Sequence, residues 1–282
     1  MKKPFFKLIC GASLLDPVEI ELLSAVYAEA GAGIIDLAAH PDAVKAAFRG
    51  VGKNFKKPLL MVSVAVEDDP HLMIAKKRID LCSHCGLCDE TCFERCCGCG
   101  KCAGLCPEGA IEMRRKEWAV DLDSCWEAGA RGLELHTGSG KLEAVAAWKR
   151  NSQNWVARGG IFSCSVNGRQ LDSKGAIAVA REVRGWFDLP ILIQTDGNPI
   201  SGQKGENSTL PALCLAQKIL SSGIDAHIQP AGGANDQTAR LAEQMKLPIA
   251  GVGMGSFARN AVRGKSFESA VLEASRLVAS VF

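Results

Sequence analysis

The chain has 282 residues, 47% of them apolar, enough for one large domain or two small ones with a full core. Lys and Arg number 33 against 31 Asp and Glu, so no basic excess points to nucleic acid. No apolar run approaches the ~20 residues of a membrane span. The opening MKKPFFKLICGASLLDP has a brief apolar patch cut off by Asp16-Pro17, and it reads as a first strand, not a signal peptide.

Short apolar runs alternate with amphipathic stretches along the chain. Strands are predicted at Phe5–Cys10, Gly33–Ala38, Pro58–Val66, Gly132–His136, Ile161–Val166, Pro190–Gln194, Asp225–Gln229 and Ile249–Val252. Each is short and largely apolar, as a parallel strand buried on both faces should be. Asp16 reads as an N-cap, Pro17 as the first helical residue and Gly31 as the stop. A last helix carries Phe267, Val271, Ala274, Val278 and Val281 on one stripe. Eight such units predict an α/β fold, a (β/α)₈ TIM-like barrel, with a doubly wound open sheet as the alternative.

Between the third strand and a helix near Asp121–Ala130 stands CSHCGLCDETCFERCCGCGKCAGLCP, residues 82–107, with nine of the 13 cysteines. On a barrel this is a βα loop at the C-terminal face, where barrel enzymes do their chemistry. The expected division is residues 1–66 for the first part of the barrel, 67–117 for a ferredoxin-like insertion and 118–282 for the remainder.

Cysteines at two-residue gaps in a long chain with no leader point to metal in a reducing cytoplasm rather than to disulfides. Cys82, Cys85, Cys88 and Cys92 have C-x2-C-x2-C-x3-C spacing, and Cys96, Cys99, Cys102 and Cys106 repeat it, with Pro107 following. This is the pattern of bacterial [4Fe–4S] ferredoxins, in which the fourth cysteine of each run serves the other cluster. The expected sets are therefore Cys82, Cys85, Cys88 and Cys106 for one cluster and Cys92, Cys96, Cys99 and Cys102 for the other. Only Phe93, Glu94 and Arg95 part the two runs, and no proline follows Cys92. A [3Fe–4S] form is thus the alternative for the first run, and structural zinc the alternative for the whole block. Cys97 reads as a small filler. Cys125 and Cys214 lie on helical stretches and are expected in the core, as are Cys10 and Cys164.

Polar residues cluster at the predicted strand ends: Asp36, Ser63, His136, Ser163, Ser165, Asn167, Gln194, Asp196, Asn198 and Gln229. His136 and Asp196 are the catalytic candidates. AGGAND and GVGMGSFARN follow the last two strands, where barrels often bind phosphate. Gly232, Gly233, Gly253, Gly255, Ser256 and Arg259 are therefore candidates for FMN or another phosphate-bearing ligand, with plain tight turns as the alternative. No lysine stands at the C-terminal end of a strand, which argues against a Schiff-base aldolase; Lys204 is the nearest.

FFKLICGAS, AGAGIIDLAA, PLLMVSVAVEDDPH, ERCCGCGKCAGLCP, GLELHTGSGK, IQTDGNPISG, AGGANDQT and GVGMGSFARN span nearly the whole chain. Together they resemble the light-dependent period protein (LdpA) family. The resemblance implies an iron–sulfur protein that reports cellular redox state, to the circadian clock in the best-known members. It carries the cluster-ligand role onto Cys96, Cys99, Cys102 and Cys106. The expected activity is electron transfer or redox sensing with a partner protein or a quinone. The alternative is an oxidoreductase whose clusters feed a ligand in the barrel mouth.

Overall fold

A computed structural model describes residues 4–52, 57–66, 73–88, 93, 96, 100–115, 120–168, 171–197 and 208–282. Eight parallel strands form one sheet: β1 (Phe5–Ile9), β2 (Ile34–Ala38), β3 (Leu59–Ala65), β6 (Gly132–His136), β7 (Ile161–Asn167), β8 (Leu192–Asp196), β9 (His227–Ala231) and β10 (Gly251–Met254). Pairing runs β10-β1-β2-β3-β6-β7-β8-β9. A parallel bridge between Ile228 and Ile249 joins the two edges, with Ala250 N–H donating to Ile228 C=O at 2.7 Å. The sheet thus nearly closes into a barrel, and the open-sheet alternative falls away.

Helices alternate with these strands: α1 (Pro17–Glu29), α2 (Pro41–Val51), α4 (Leu122–Glu127), α5 (Leu142–Ala146), α6 (Lys149–Ala157), α7 (Ser173–Arg184), α8 (Leu210–Ser221), α9 (Thr238–Gln244), α10 (Ser256–Val262) and α11 (Phe267–Ala279). The sequence explains where several begin. Asp16 caps α1 by accepting from Val18 and Glu19 N–H, and Asp121 and Asp172 cap α4 and α7 in the same way. Helices α1 and α2 pack closely because Gly50 has no side chain; a Cβ there would sit 2.2 Å from the Glu21 carbonyl oxygen. Tyr27 stacks on Phe6 at 5.5 Å, and its hydroxyl donates to Ala258 C=O, so α1 is tied to both β1 and α10.

The expected strands all form, with ends displaced by up to two residues. Strand β8 extends to Asp196 and β9 to Ala231, so Asp196 is a strand residue rather than a loop residue. Two expectations fail. Cys214 is exposed on α8, because it falls on the outer side of a helix whose buried stripe is Ala212, Leu213, Leu215, Ala216 and Ile219. Phe267 opens α11 half-exposed, while Ala274 and Val278 hold the stripe. Among the described residues no helix is long and apolar enough to cross a membrane.

Between β3 and α4 the chain leaves the barrel. It forms an antiparallel pair, β4 (Met73–Lys77) with β5 (Ile111–Arg115), and a short helix α3 (Lys101–Leu105). The cysteine block lies between these two strands.

Candidate functional site

The insertion gathers cysteines that are far apart in sequence. Cys82, Cys85, Cys88 and Cys106 line one cavity of ≈ 110 Å³, floored by Ala110 and Ile111. Two backbone amides in this region turn onto sulfur: His84 N–H donates to Cys82 Sγ and Ala110 N–H to Cys106 Sγ, both at 3.3 Å. His84 sits at φ 53° and Gly86 at φ 71°. A positive φ is unusual for a residue with a side chain, and here it accompanies the tight Cys82–Cys85–Cys88 loop. Four thiols round one cavity, with amides directed at sulfur, form a donor set that suits a cysteine-ligated cluster.

From the second run, Cys96 and Cys102 are described, and Cys92, Cys97 and Cys99 lie outside the described residues. Cys96 Sγ accepts from Ala75 N–H at 3.2 Å. Cys96 C=O accepts from the Ser13 hydroxyl at 3.3 Å. Ser13 lies in the β1–α1 loop, so the second run is fastened to the rim of the barrel. Cys102 is half-buried on α3. No described cysteine forms a disulfide with another.

Inside the barrel is a charged centre that strand-end reasoning did not reach. Lys7, in the middle of β1, is fully buried. Its Nζ lies 2.5 Å from Glu134 Oε2, 3.1 Å from Gln194 Oε1 and 3.4 Å from Asp36 Oδ2. Three serines complete the frame. Ser63 donates to Asp36 Oδ1 at 2.6 Å, Ser163 to Glu134 Oε2 at 2.8 Å, and Ser165 Oγ meets His136 Nδ1 at 3.2 Å. Gln194 Nε2 donates to Asp196 Oδ1 at 3.2 Å, and Gln229 Nε2 to Gln194 Oε1 at 2.6 Å. The expected Asp36, Ser63, His136, Ser163, Ser165, Gln194, Asp196 and Gln229 are therefore brought together. Asn167 ends β7, and Asn198 and Lys204 lie outside the described residues. Lys7 and Glu134 were missed; a charge in the middle of FFKLI and of GLELH was the available signal.

Burial alone would lower the Lys7 pKa, but Asp36 and Glu134 outweigh it and hold the ammonium above its ordinary value. Burial likewise opposes ionisation of Glu134, yet Lys7 and His136 bring its carboxyl below the ordinary range. For Asp36 burial outweighs Lys7, and its pKa rises. A lysine held as ammonium is no Schiff-base nucleophile.

The glycine loops divide. Gly253 faces the barrel interior, where a Cβ would lie 2.9 Å from Gln229 Nε2. Gly232, at φ 52°, lies against Gly197, whose nitrogen would be 2.8 Å from its Cβ. These close approaches give both positions a packing reason to be glycine. Gly233, at φ 108°, accepts at its carbonyl from Ser208. Gly255 precedes α10, Ser256 opens it, and Arg259 brings its guanidinium to the Gly11 turn, 4.0 Å from where a Gly11 Cβ would stand. Arg259 Nε is buried and has no hydrogen-bond partner among the described residues.

Comparison with known proteins agrees with this architecture. Among solved structures, 3-hexulose-6-phosphate synthase is similar at TM-score 0.52 and 15% identity, covering 98% of this chain and 99% of the other. Ligand-free tryptophan synthase from M. tuberculosis is similar at TM-score 0.54 and 12% identity, covering 99% and 93%. Both likenesses concern the fold alone. The curated protein light dependent period A of Synechococcus elongatus is 31% identical over 286 residues, covering 90% of this chain and 80% of that protein. Residues 126–277 match the model of the light dependent period A C-terminal domain. The chain belongs to the light dependent period A family.

Proposed function

We propose that this chain is an iron–sulfur protein holding two [4Fe–4S]-type clusters, a [3Fe–4S] form being the alternative for one, and that it acts in electron transfer or redox sensing. The observation that carries this is the convergence of Cys82, Cys85, Cys88 and Cys106 on one cavity. That is the grouping the ferredoxin spacing predicts, three cysteines from one run and the last from the other. One-electron exchange is the chemistry such clusters supply. The residues of this chain hold the sulfurs, direct amides at Cys82 and Cys106, and tie the second run, for which Cys92, Cys96, Cys99 and Cys102 are the ligands, to the barrel through Ser13. The insertion is in this sense ferredoxin-like, and its exposed Cys85 edge suits exchange with a partner protein or a quinone. The family resemblance supports the sensing role.

Iron and acid-labile sulfide counts on anaerobically purified protein, with EPR of the reduced form, test this reading. About eight irons per chain are expected for two cubanes. A chain that retains zinc and no sulfide overturns it.

A second reading is favoured by Arg259. Its buried Nε and its place beside the Gly11 turn suit an anionic group such as the phosphate of FMN, bound at the rim near Cys96. Gly255 and Ser256 lie on the same rim. In that case the chain is an oxidoreductase fed by its clusters, with His136 and Asp196 as its catalytic candidates. Flavin retained by anaerobic protein in the wild type and lost in Arg259→Ala supports it; no flavin after supplementation sinks it.

A further inference from the structure

Among the described residues, a group of ligating side chains other than cysteines lies within the barrel. Asp36, Glu134 and His136 are all buried, and each places one donor atom within 4.8 Å of the other two. Glu134 and His136 stand two apart on β6, and Asp36 comes from β2 on the other side of β3, so the sheet and not sequence proximity brings Asp36 to the other two.

Their hydrogen bonds divide each side chain into a held atom and a facing atom. Ser63 holds Asp36 Oδ1, Ser163 and Lys7 hold Glu134 Oε2, and Ser165 holds His136 Nδ1. Fixing the far atom of a ligand is how outer-shell groups orient metal ligands. Glu134 Oε1 remains, fully buried and without a hydrogen-bond partner among the described residues. It is aimed at His136 Nε2, 3.5 Å away. That is beyond the ordinary hydrogen-bond range of about 2.7–3.2 Å. A divalent ion with bonds of about 2.0–2.2 Å separates neighbouring donors by about 3–3.6 Å. In the tautomer that donates Nδ1–H to Ser165, Nε2 presents a lone pair toward Glu134 Oε1, across a gap that a cation fits.

Charge points the same way. Asp36, Glu134 and Asp196 all act electrostatically on Lys7, which lies within 4 Å of only the first two. Lys7 engages Glu134 Oε2 and, at 3.4 Å, Asp36 Oδ2, and leaves Glu134 Oε1 for a second cation. His136 retains 6% exposure at the end of β6, which places the group just inside the C-terminal mouth.

We propose that Asp36, Glu134 and His136 form a binding site for one divalent first-row transition-metal ion, a donor set of one imidazole and two carboxylates. The site is separate from the cysteines and does not depend on how they are filled. Mn²⁺ is the suitable probe, because carboxylate sites take it and thiolates prefer softer ions.

The test uses the anaerobically purified full chain with its iron. Room-temperature EPR of added Mn²⁺ measures free ion, and pulsed EPR at low temperature reads nitrogen coupled to bound ion. One Mn²⁺ per chain is expected, with a single imidazole nitrogen coupled to it. Glu134→Gln and His136→Gln should abolish binding. Ser165→Ala should weaken it about 10- to 100-fold while leaving the circular dichroism unchanged. Absence of binding at millimolar Mn²⁺ overturns the proposal, as does binding without nitrogen coupling or binding undiminished in His136→Gln. If Glu134→Gln fails to fold, the wild-type nitrogen coupling and the Ser165→Ala affinity decide the matter.

Discussion

Lys7 Nζ lies 2.5 Å from Glu134 Oε2, a contact between residues 127 apart in sequence with neither side chain exposed. It joins β1 to β6 across the barrel interior, and Lys7 to Met leaves two buried carboxylates without their cation. The expected loss is roughly 3–5 kcal/mol, read by urea denaturation. The pH dependence has a sign on each side. Glu134 has a lowered folded pKa, so its contribution is full above the unfolded value of 4.5 and is lost as pH falls through the folded one. Lys7 has a raised folded pKa, so its contribution is full below the unfolded value of 10.5 and is lost as pH rises through the folded one. Wild-type stability should therefore fall at both extremes, and Lys7→Met should lack the alkaline loss.

Single-cysteine variants should separate the two cysteine sets. Cys85→Ser removes a ligand from the cavity shared with Cys82, Cys88 and Cys106. Cys102→Ser strikes the other set. If the proposed grouping holds, each variant loses a different EPR signal and about four irons. The same signal lost from both variants would contradict the grouping.

Thiol reactivity gives an independent reading of burial. Burial pushes the Cys10 thiol up to about 12, against a lowering by Arg259, and burial pushes Cys125 up to about 12 as well. Burial raises Cys164 further still. At about pH 8 none of these is appreciably thiolate. Iodoacetamide on folded protein should modify exposed Cys214 and spare Cys10, Cys125 and Cys164, as read by peptide mass spectrometry. Modification of Cys164 ahead of Cys214 would contradict the barrel packing.

Gly253→Ala should disturb the barrel interior directly. Its methyl would meet Gln229 Nε2 at 2.9 Å, Ile9 Cδ1 at 3.1 Å and Ala231 Cβ at 3.2 Å. A destabilisation of about 1–3 kcal/mol is expected from such overpacking, measured by thermal or urea unfolding. An unchanged stability would mean that the Gln194–Gln229 pair gives way without cost.

The barrel was legible because its strands are short apolar runs between capped helices, a signal each unit carries by itself. PLLMVSVAV and IFSCSV could be little else than buried strands, and Asp16 and Asp121 mark helix starts. The cysteine spacing was equally local. The interior centre was only half legible. His136 stands at a strand end, where ligands are sought, but Asp36, Lys7 and Glu134 stand in mid-strand. Their meeting depends on register, Lys7 beside Ile34, Ser63 beside Glu134 and Glu134 beside Ser163, and on closure of the sheet. No single stretch of sequence contains that information. Cys214 was misplaced for a related reason: a helix in the sequence does not by itself say which of two adjacent residues turns outward.

The hydrogen bond from Ser13 to the Cys96 carbonyl fastens the insertion at a further point, away from its two covalent junctions with the barrel. An appendage held only at its ends can shift without the body registering it. One stitched to the loop after β1 cannot move at Cys96 without pulling on the turn that leads from Cys10 into α1. That turn also receives Arg259 and adjoins the helix whose Tyr27 clasps α10. Strain at the cysteine loop thus has a short mechanical route to the seam where the first and last strands of the barrel meet.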